Sequence, residues 1–103
     1  MKRGASVAFR RRRLDIDACG RASGAMQIPS PNRDERPPGT PGTLVVIHGI
    51  SMPPGEFGGD AIARLFTNRL DPVAHPACAE VAALRVSSHF LIRRDGSLVQ
   101  FVP

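Results

Sequence analysis

No run of apolar residues in this sequence approaches the roughly 20 that a bilayer-spanning helix needs, so no membrane partner is expected. A secretory leader is not expected either. It requires about 7–15 apolar residues after a basic start, and here Leu14-Asp15-Ile16-Asp17 already brings carboxylates. The expected compartment is the cytoplasm. Cysteine is scarce: Cys19 and Cys78 lie far apart without a CxxC spacing, which favours reduced thiols over a disulfide framework. Lysine is scarcer still, since none follows Lys2, and no positioned ammonium is available from the rest of the chain. Repeats and low-complexity tracts are lacking. So is a nucleophile elbow, because Ser87, Ser88 and Ser97 have no G-x-S-x-G context, and Gly55, Gly58 and Gly59 match neither a dinucleotide fingerprint nor a phosphate loop. Those glycines are expected to shape a surface loop.

What is present fits one small domain. The 103 residues are 42% hydrophobic, enough for a core but not for two. The formal charge of +5 is unevenly placed. Lys2, Arg3 and Arg10 to Arg13 stand in the first 13 residues with no acid among them, whereas from Leu14 onward eight arginines face nine carboxylates. Residues 1–13 are therefore expected to be a basic disordered tail and residues 14–103 a near-neutral folded unit. The tail raises a nucleic-acid-associated protein as a lesser alternative; no specific nucleic-acid partner is expected of the body. The sequence sets no oligomeric state.

Order is expected to begin at residue 43. Between Gly20 and Gly42, Pro29, Pro31, Pro37, Pro38 and Pro41 remove backbone donors, and much of that stretch reads as disordered. Leu44-Val45-Val46-Ile47-His48 reads as a central strand covered on both faces, with neighbours on both sides. Asp60 is placed to cap a short helix carrying Ile62, Leu65, Phe66 and Leu70 at helical spacing. Pro76 suits the first turn of a second helix, with Val81 and Leu84 inward and Arg85 near its end. Residues 88–93 and 98–102 form a hairpin around Arg94-Asp95-Gly96-Ser97, where the Asp-Gly pair suits a type I′ turn. The fold class is α/β (α+β), a mixed sheet flanked by helices, with too few strands to complete it.

Histidine is where chemistry could reside. His48 ends a strand in the position where α/β sheets present ligands, so it is a candidate metal ligand or catalytic base, or else a core histidine bonded to a carbonyl. His75, before Pro76, reads as a solvated or capping residue. His89, within a strand, reads as structural or as support for a neighbouring site. A catalytic zinc commonly takes three protein ligands, and three histidines are suggestive by number alone.

Taken together, Ile28-Pro-Ser-Pro-Asn32, Asp34-Glu-Arg-Pro-Pro-Gly39, Leu44-Val-Val-Ile-His48, Pro53-Pro-Gly-Glu-Phe-Gly-Gly59, Leu70-Asp-Pro72, Ala74-His-Pro76, Leu84-Arg-Val-Ser87, His89-Phe-Leu-Ile-Arg-Arg-Asp-Gly96 and Val99-Gln-Phe-Val-Pro103 resemble one family. The chain looks like the N-terminal half of an AmpD-type 1,6-anhydro-N-acetylmuramoyl-L-alanine amidase, of the amidase 2 and peptidoglycan-recognition fold. The resemblance implies a truncated zinc hydrolase that cuts the lactyl–L-alanine amide of anhydromuropeptides in cytoplasmic peptidoglycan recycling. It implies His48 as a zinc ligand and Arg85 as the grip on a stem-peptide carboxylate, a task suited to a planar bidentate fork. Gly49 departs from the asparagine expected beside the first ligand. The family's second zinc histidine, zinc aspartate, catalytic glutamate and lysine are implied to lie beyond Pro103. A fragment of this kind is expected to be inactive alone, with a noncatalytic muropeptide-binding remnant as the second reading.

Overall fold

A computed structural model describes residues 14–52, 55–56 and 58–103; the expected basic tail lies outside the described residues. In chain order the elements are β1 (Met26–Gln27), α1 (Ala61–Phe66), α2 (Pro76–Val81), β2 (Phe90–Ile92) and β3 (Leu98–Gln100). The three strands form one mixed sheet in the order β1-β3-β2. β1 runs parallel to β3, with Met26 opposite Val99 and Gln27 opposite Gln100. β2 runs antiparallel to β3, with Leu91 opposite Val99. The mixed sheet with short helices is the expected α+β class.

The core sits where α1 lies on β3. Leu65 and Phe66 of α1 meet Val99 and Phe101, and Ile28, Ile50, Met52, Ile62, Leu70, Val81 and Leu91 pack around them. Phe66 and Phe101 stack edge to face with centroids 4.9 Å apart at 82°, the arrangement that aromatic quadrupoles favour. Leu84, expected inward, is about half exposed at 48%. Of the two thiols, both free, Cys78 of α2 is buried and Cys19 is exposed.

The expectation of disorder after Gly20 is corrected by a folded segment before residue 33. Asp17 Oδ1 accepts the amides of Cys19 and Arg21 at 2.9 and 3.0 Å, closing a loop that pairs Ile16 with Ala22. Gly20 is required there: its φ is +82°, and a Cβ would stand 3.0 Å from the Pro103 ring. Beyond β1, the Ile28 amide donates to the Gln100 carbonyl and the Ser30 amide to the Phe101 carbonyl, at 3.0 and 2.9 Å. A parallel edge strand needs only alternate donors. Pro29 and Pro31 occupy the positions that face away, so the prolines interrupt nothing.

The strand expected at residues 44–48 is not formed. Leu44, Val45, Val46 and Ile47 are 82%, 82%, 74% and 90% exposed, and the described sheet ends at β1 and β2 without taking them up. Alternation and β-branching are satisfied only against neighbouring strands, and this segment has none among the described residues. The Cα radius of gyration is 16.6 Å, where a compact chain of this size has about 12–13 Å.

Both helices start where expected and are short. Asp60 stands at the N-terminus of α1 but makes no side-chain cap; its carboxylate instead bonds Arg64 Nε at 2.7 Å one turn on. This guanidinium hydrogen bond holds the Asp60 carboxyl below its ordinary value. Helix α1 ends before Leu70 because Asn68 adopts φ +62°. The amide of Arg69 reaches the Arg64 carbonyl and that of Asn68 the Leu65 carbonyl, at 2.7 and 3.2 Å, a Schellman closure. At the hairpin, Arg93 pairs with Ser97 and the Gly96 amide returns to the Arg93 carbonyl. Gly96 has φ +86°, while Asn68 is the only non-glycine with positive φ among the described residues. A type I′ turn needs positive φ at both central residues, so the observed connection is instead a three-residue loop with glycine at its left-handed position.

Candidate functional site

His48 stands in the exposed segment that follows Ile47, not at the mouth of a covered strand. Its Nδ1 lies 3.4 Å from the carbonyl of its own neighbour Gly49, too long for a firm hydrogen bond. Arg85 follows α2 in an exposed, irregular stretch. The backbone beside it is anchored: Asn32 Nδ2 donates to the Val86 carbonyl at 2.9 Å and to Asn68 Oδ1 at 2.8 Å. This ties the Arg85 neighbourhood to the end of α1. His75 is a capping residue, its Nδ1 accepting the Ala77 amide at 3.0 Å, with Pro76 at the first turn. His89 precedes β2 and is exposed; its carbonyl, not its ring, accepts the Phe101 amide at 2.8 Å. The three histidines therefore do not converge.

Zinc can be tested against this arrangement. A tetrahedral catalytic site takes three protein ligands and a water, and among the described residues no three His, Cys, Asp or Glu side chains gather. These residues on their own do not fit a zinc ion.

Two clefts among the described residues are lined by neither His48 nor Arg85. One, of about 310 Å³, lies between Ile50, Ile62 and Ala63 on one side and Leu91 to Asp95 on the other. Arg93 bridges its rim by donating to the Gly59 carbonyl at 3.0 Å, and Gly58 and Gly59, at φ +93° and +70°, shape the loop as expected. The other, of about 410 Å³, is lined by Arg21, Gln27, Ser30, Arg33 and Phe101 among others. Sequence reasoning missed both. The doublet Arg93-Arg94 beside a turn was the available signal for the first; none marked the second.

A more consequential omission is Gln100, 2% exposed at the centre of the sheet. Its Oε1 accepts the Ala22 amide at 2.8 Å and the Gln27 amide group at 2.7 Å. Its Nε2 donates to the Gly20 and Val102 carbonyls at 2.8 and 3.3 Å. One buried side chain thus fastens the N-terminal loop and β1 onto β3.

Short helices on a mixed sheet, with a histidine-bearing apolar segment before a glycine-rich loop, define an α+β protein. The comparisons specify it further. Over 80 residues the chain is 60% identical to the 1,6-anhydro-N-acetylmuramyl-L-alanine amidase AmpD of Escherichia coli strain K12, a match covering 78% of this chain and 44% of that protein. It is 57% identical over 79 residues to the same-named protein of Citrobacter freundii and 47% identical over 76 residues to that of Haemophilus influenzae, covering 77% and 74% of this chain and 42% and 41% of those proteins. A crystal structure of a selenomethionine derivative of AmpD superposes with a TM-score of 0.81 at 53% identity, covering 85% of this chain and 49% of that one. No family model matches the chain. In sequence and in fold the chain is AmpD-like, corresponding to the N-terminal part of those proteins. It spans less than half the length of the curated relatives it matches.

Proposed function

We propose that this chain carries the N-terminal part of a zinc-dependent N-acetylmuramoyl-L-alanine amidase, which hydrolyses the lactyl–L-alanine amide of anhydromuropeptides during peptidoglycan recycling in the cytoplasm. The observation that supports this reading most is the 60% identity over 80 residues to an amidase of that name. In this reading His48 is one zinc ligand and Arg85 binds the stem-peptide carboxylate through its two-pronged guanidinium. No helix among the described residues is long and apolar enough to cross a membrane.

The gathering of ligands that zinc requires is absent among the described residues. That favours binding without turnover by the 103-residue chain on its own. The test is an assay of the purified chain with anhydromuropeptide and added zinc, in parallel with calorimetric binding of the stem peptide. No hydrolysis is expected, and Arg85→Ala is expected to weaken peptide binding by about tenfold, the worth of one charge-assisted pair. Turnover abolished by chelator and restored by zinc would overturn the claim of inactivity; unchanged binding by Arg85→Ala would remove Arg85 from the site.

A further inference from the structure

Arg85 stands in a stretch of backbone, residues 84–88, that belongs to no helix or strand. Its neighbours Leu84 and Val86 are 48% and 39% exposed, so packing does little to fix it. Among the described residues, one hydrogen bond ties residues 85–87 to a distant part of the chain: Asn32 Nδ2 donates to the Val86 carbonyl at 2.9 Å. The other end of that bond is itself held. A side-chain amide has two hydrogens to give, and the second goes to Asn68 Oδ1 at 2.8 Å, while Asn68 Nδ2 returns to Asn32 Oδ1 at 3.1 Å. This reciprocal pair fixes the plane of the Asn32 amide. The Phe66 carbonyl lies 3.3 Å from the same nitrogen, and with two backbone carbonyls on that side only the donor end can face them. Behind it, the Asn32 backbone amide donates to Ser30 Oγ at 3.1 Å, and the Ser30 amide to the Phe101 carbonyl at 2.9 Å. Val86 is thereby fastened to the sheet and to the end of α1 through one side chain.

We propose that Asn32 is a positioning residue for Arg85, holding the adjoining backbone so that the guanidinium meets a peptide carboxylate already oriented. The proposal rests on the reading of Arg85 as the carboxylate grip. A guanidinium several bonds from its Cα magnifies any tilt of the backbone that carries it, and a two-pronged grip tolerates only about 10–20° of misorientation. Asn32 touches no ligand in this arrangement. Its contribution is to spare the Arg85 stretch the loss of freedom that binding would otherwise impose.

The test pairs calorimetric titration of the 103-residue chain with the stem peptide and NMR order parameters of the 85–87 amides, in the wild type, Asn32→Ala and the milder Asn32→Ser, which keeps one donor. Order parameters of about 0.85 are expected in the wild type and below about 0.6 in Asn32→Ala. Peptide binding is expected to weaken about fivefold in Asn32→Ala and about twofold in Asn32→Ser. Added to Arg85→Ala, Asn32→Ala is expected to cost less than about twofold more, because the group it serves is gone. Gln100→Leu is the structural control: its side chain reaches none of these residues, and the folded variant is expected to keep its peptide affinity. Should Asn32→Ala not fold, Asn32→Ser carries both measurements. The proposal is overturned by unchanged 85–87 order parameters, by Asn32 variants that bind as the wild type does while Arg85→Ala binds weakly, by losses in Asn32→Ala and Arg85→Ala that multiply, or by an equal loss in Gln100→Leu. The reading of Arg85 fails separately. Undiminished binding by Arg85→Ala counts against the peptide as its ligand, whereas 85–87 amides loosened by Asn32→Ala still show what Asn32 holds.

Discussion

Gln100 illustrates what a single buried amide does when all its hydrogen-bonding capacity is used. Replacing it by leucine keeps the volume but strands the Ala22 amide and the Gly20 carbonyl, and each stranded group costs about 1–3 kcal/mol. Gln100→Leu is expected to lower stability by at least about 2 kcal/mol in urea denaturation followed by circular dichroism; a loss under about 0.5 kcal/mol would refute the role assigned to it. The sequence placed this residue in a strand but could not show that it holds Ala22 and Gly20, which lie 78 and 80 positions away. Asp95 was easier to read, since Asp-Gly marks a turn. Its carboxylate accepts the Ser97 hydroxyl and amide at 2.6 and 2.8 Å, and the hydroxyl bond chiefly holds its pKa below the ordinary 3.8. A lowered carboxylate pKa stabilises the folded turn above the unfolded value, and that contribution is lost as pH falls through the folded one. The Ser97 amide resonance is therefore expected to shift with a midpoint below 3.8, and a midpoint at or above that value would contradict the bond.

At the scale of elements, helix beginnings were legible and helix ends were not. Proline at the start of α2 needs no context, because its missing donor is one the first turn cannot use. The end of α1 depends on Asn68 entering the left-handed region, which asparagine permits without announcing. Asn68→Ala is expected to be about 1 kcal/mol less stable than Asn68→Gly, since only alanine carries a Cβ into that conformation; equal stabilities in thermal melts would show that the closure relaxes. The short run at β1 was hidden by Pro29 and Pro31 just beyond it, whose harmlessness depends on which edge of the extended chain they face. The apolar run before His48 was read as a covered central strand, and the structure leaves it exposed and unpaired among the described residues. Composition reports what a segment can pair with, not whether the partner is there. The same gap separates His48 as a named candidate from any assembled set of ligands.

Over the whole molecule, positive charge is unevenly placed along the sequence. From Leu14 onward eight arginines face nine carboxylates, so the +5 charge comes from residues 1–13. Removing those residues is expected to abolish salt-sensitive DNA binding by the chain and to leave stem-peptide binding unchanged. Fluorescence titrations at several salt concentrations check this, because log affinity falls by about 0.9 per neutralised phosphate for each tenfold rise in salt; salt-sensitive binding that persists after truncation would move the interaction onto the body. The class of fold was readable from the order of elements and from quoted motifs. The extent of burial was not, because it depends on neighbours that no local pattern encodes.

The two thiols differ in reach: Cys19 lies open and Cys78 is 2% exposed against the interior. An alkylating reagent should consume one equivalent at once and the second only as fast as the helix bearing Cys78 detaches. The chain therefore carries its own stopwatch for opening, readable by mass spectrometry without a label. Any ligand or companion polypeptide that steadies the interior is expected to slow that second hand while leaving the first untouched.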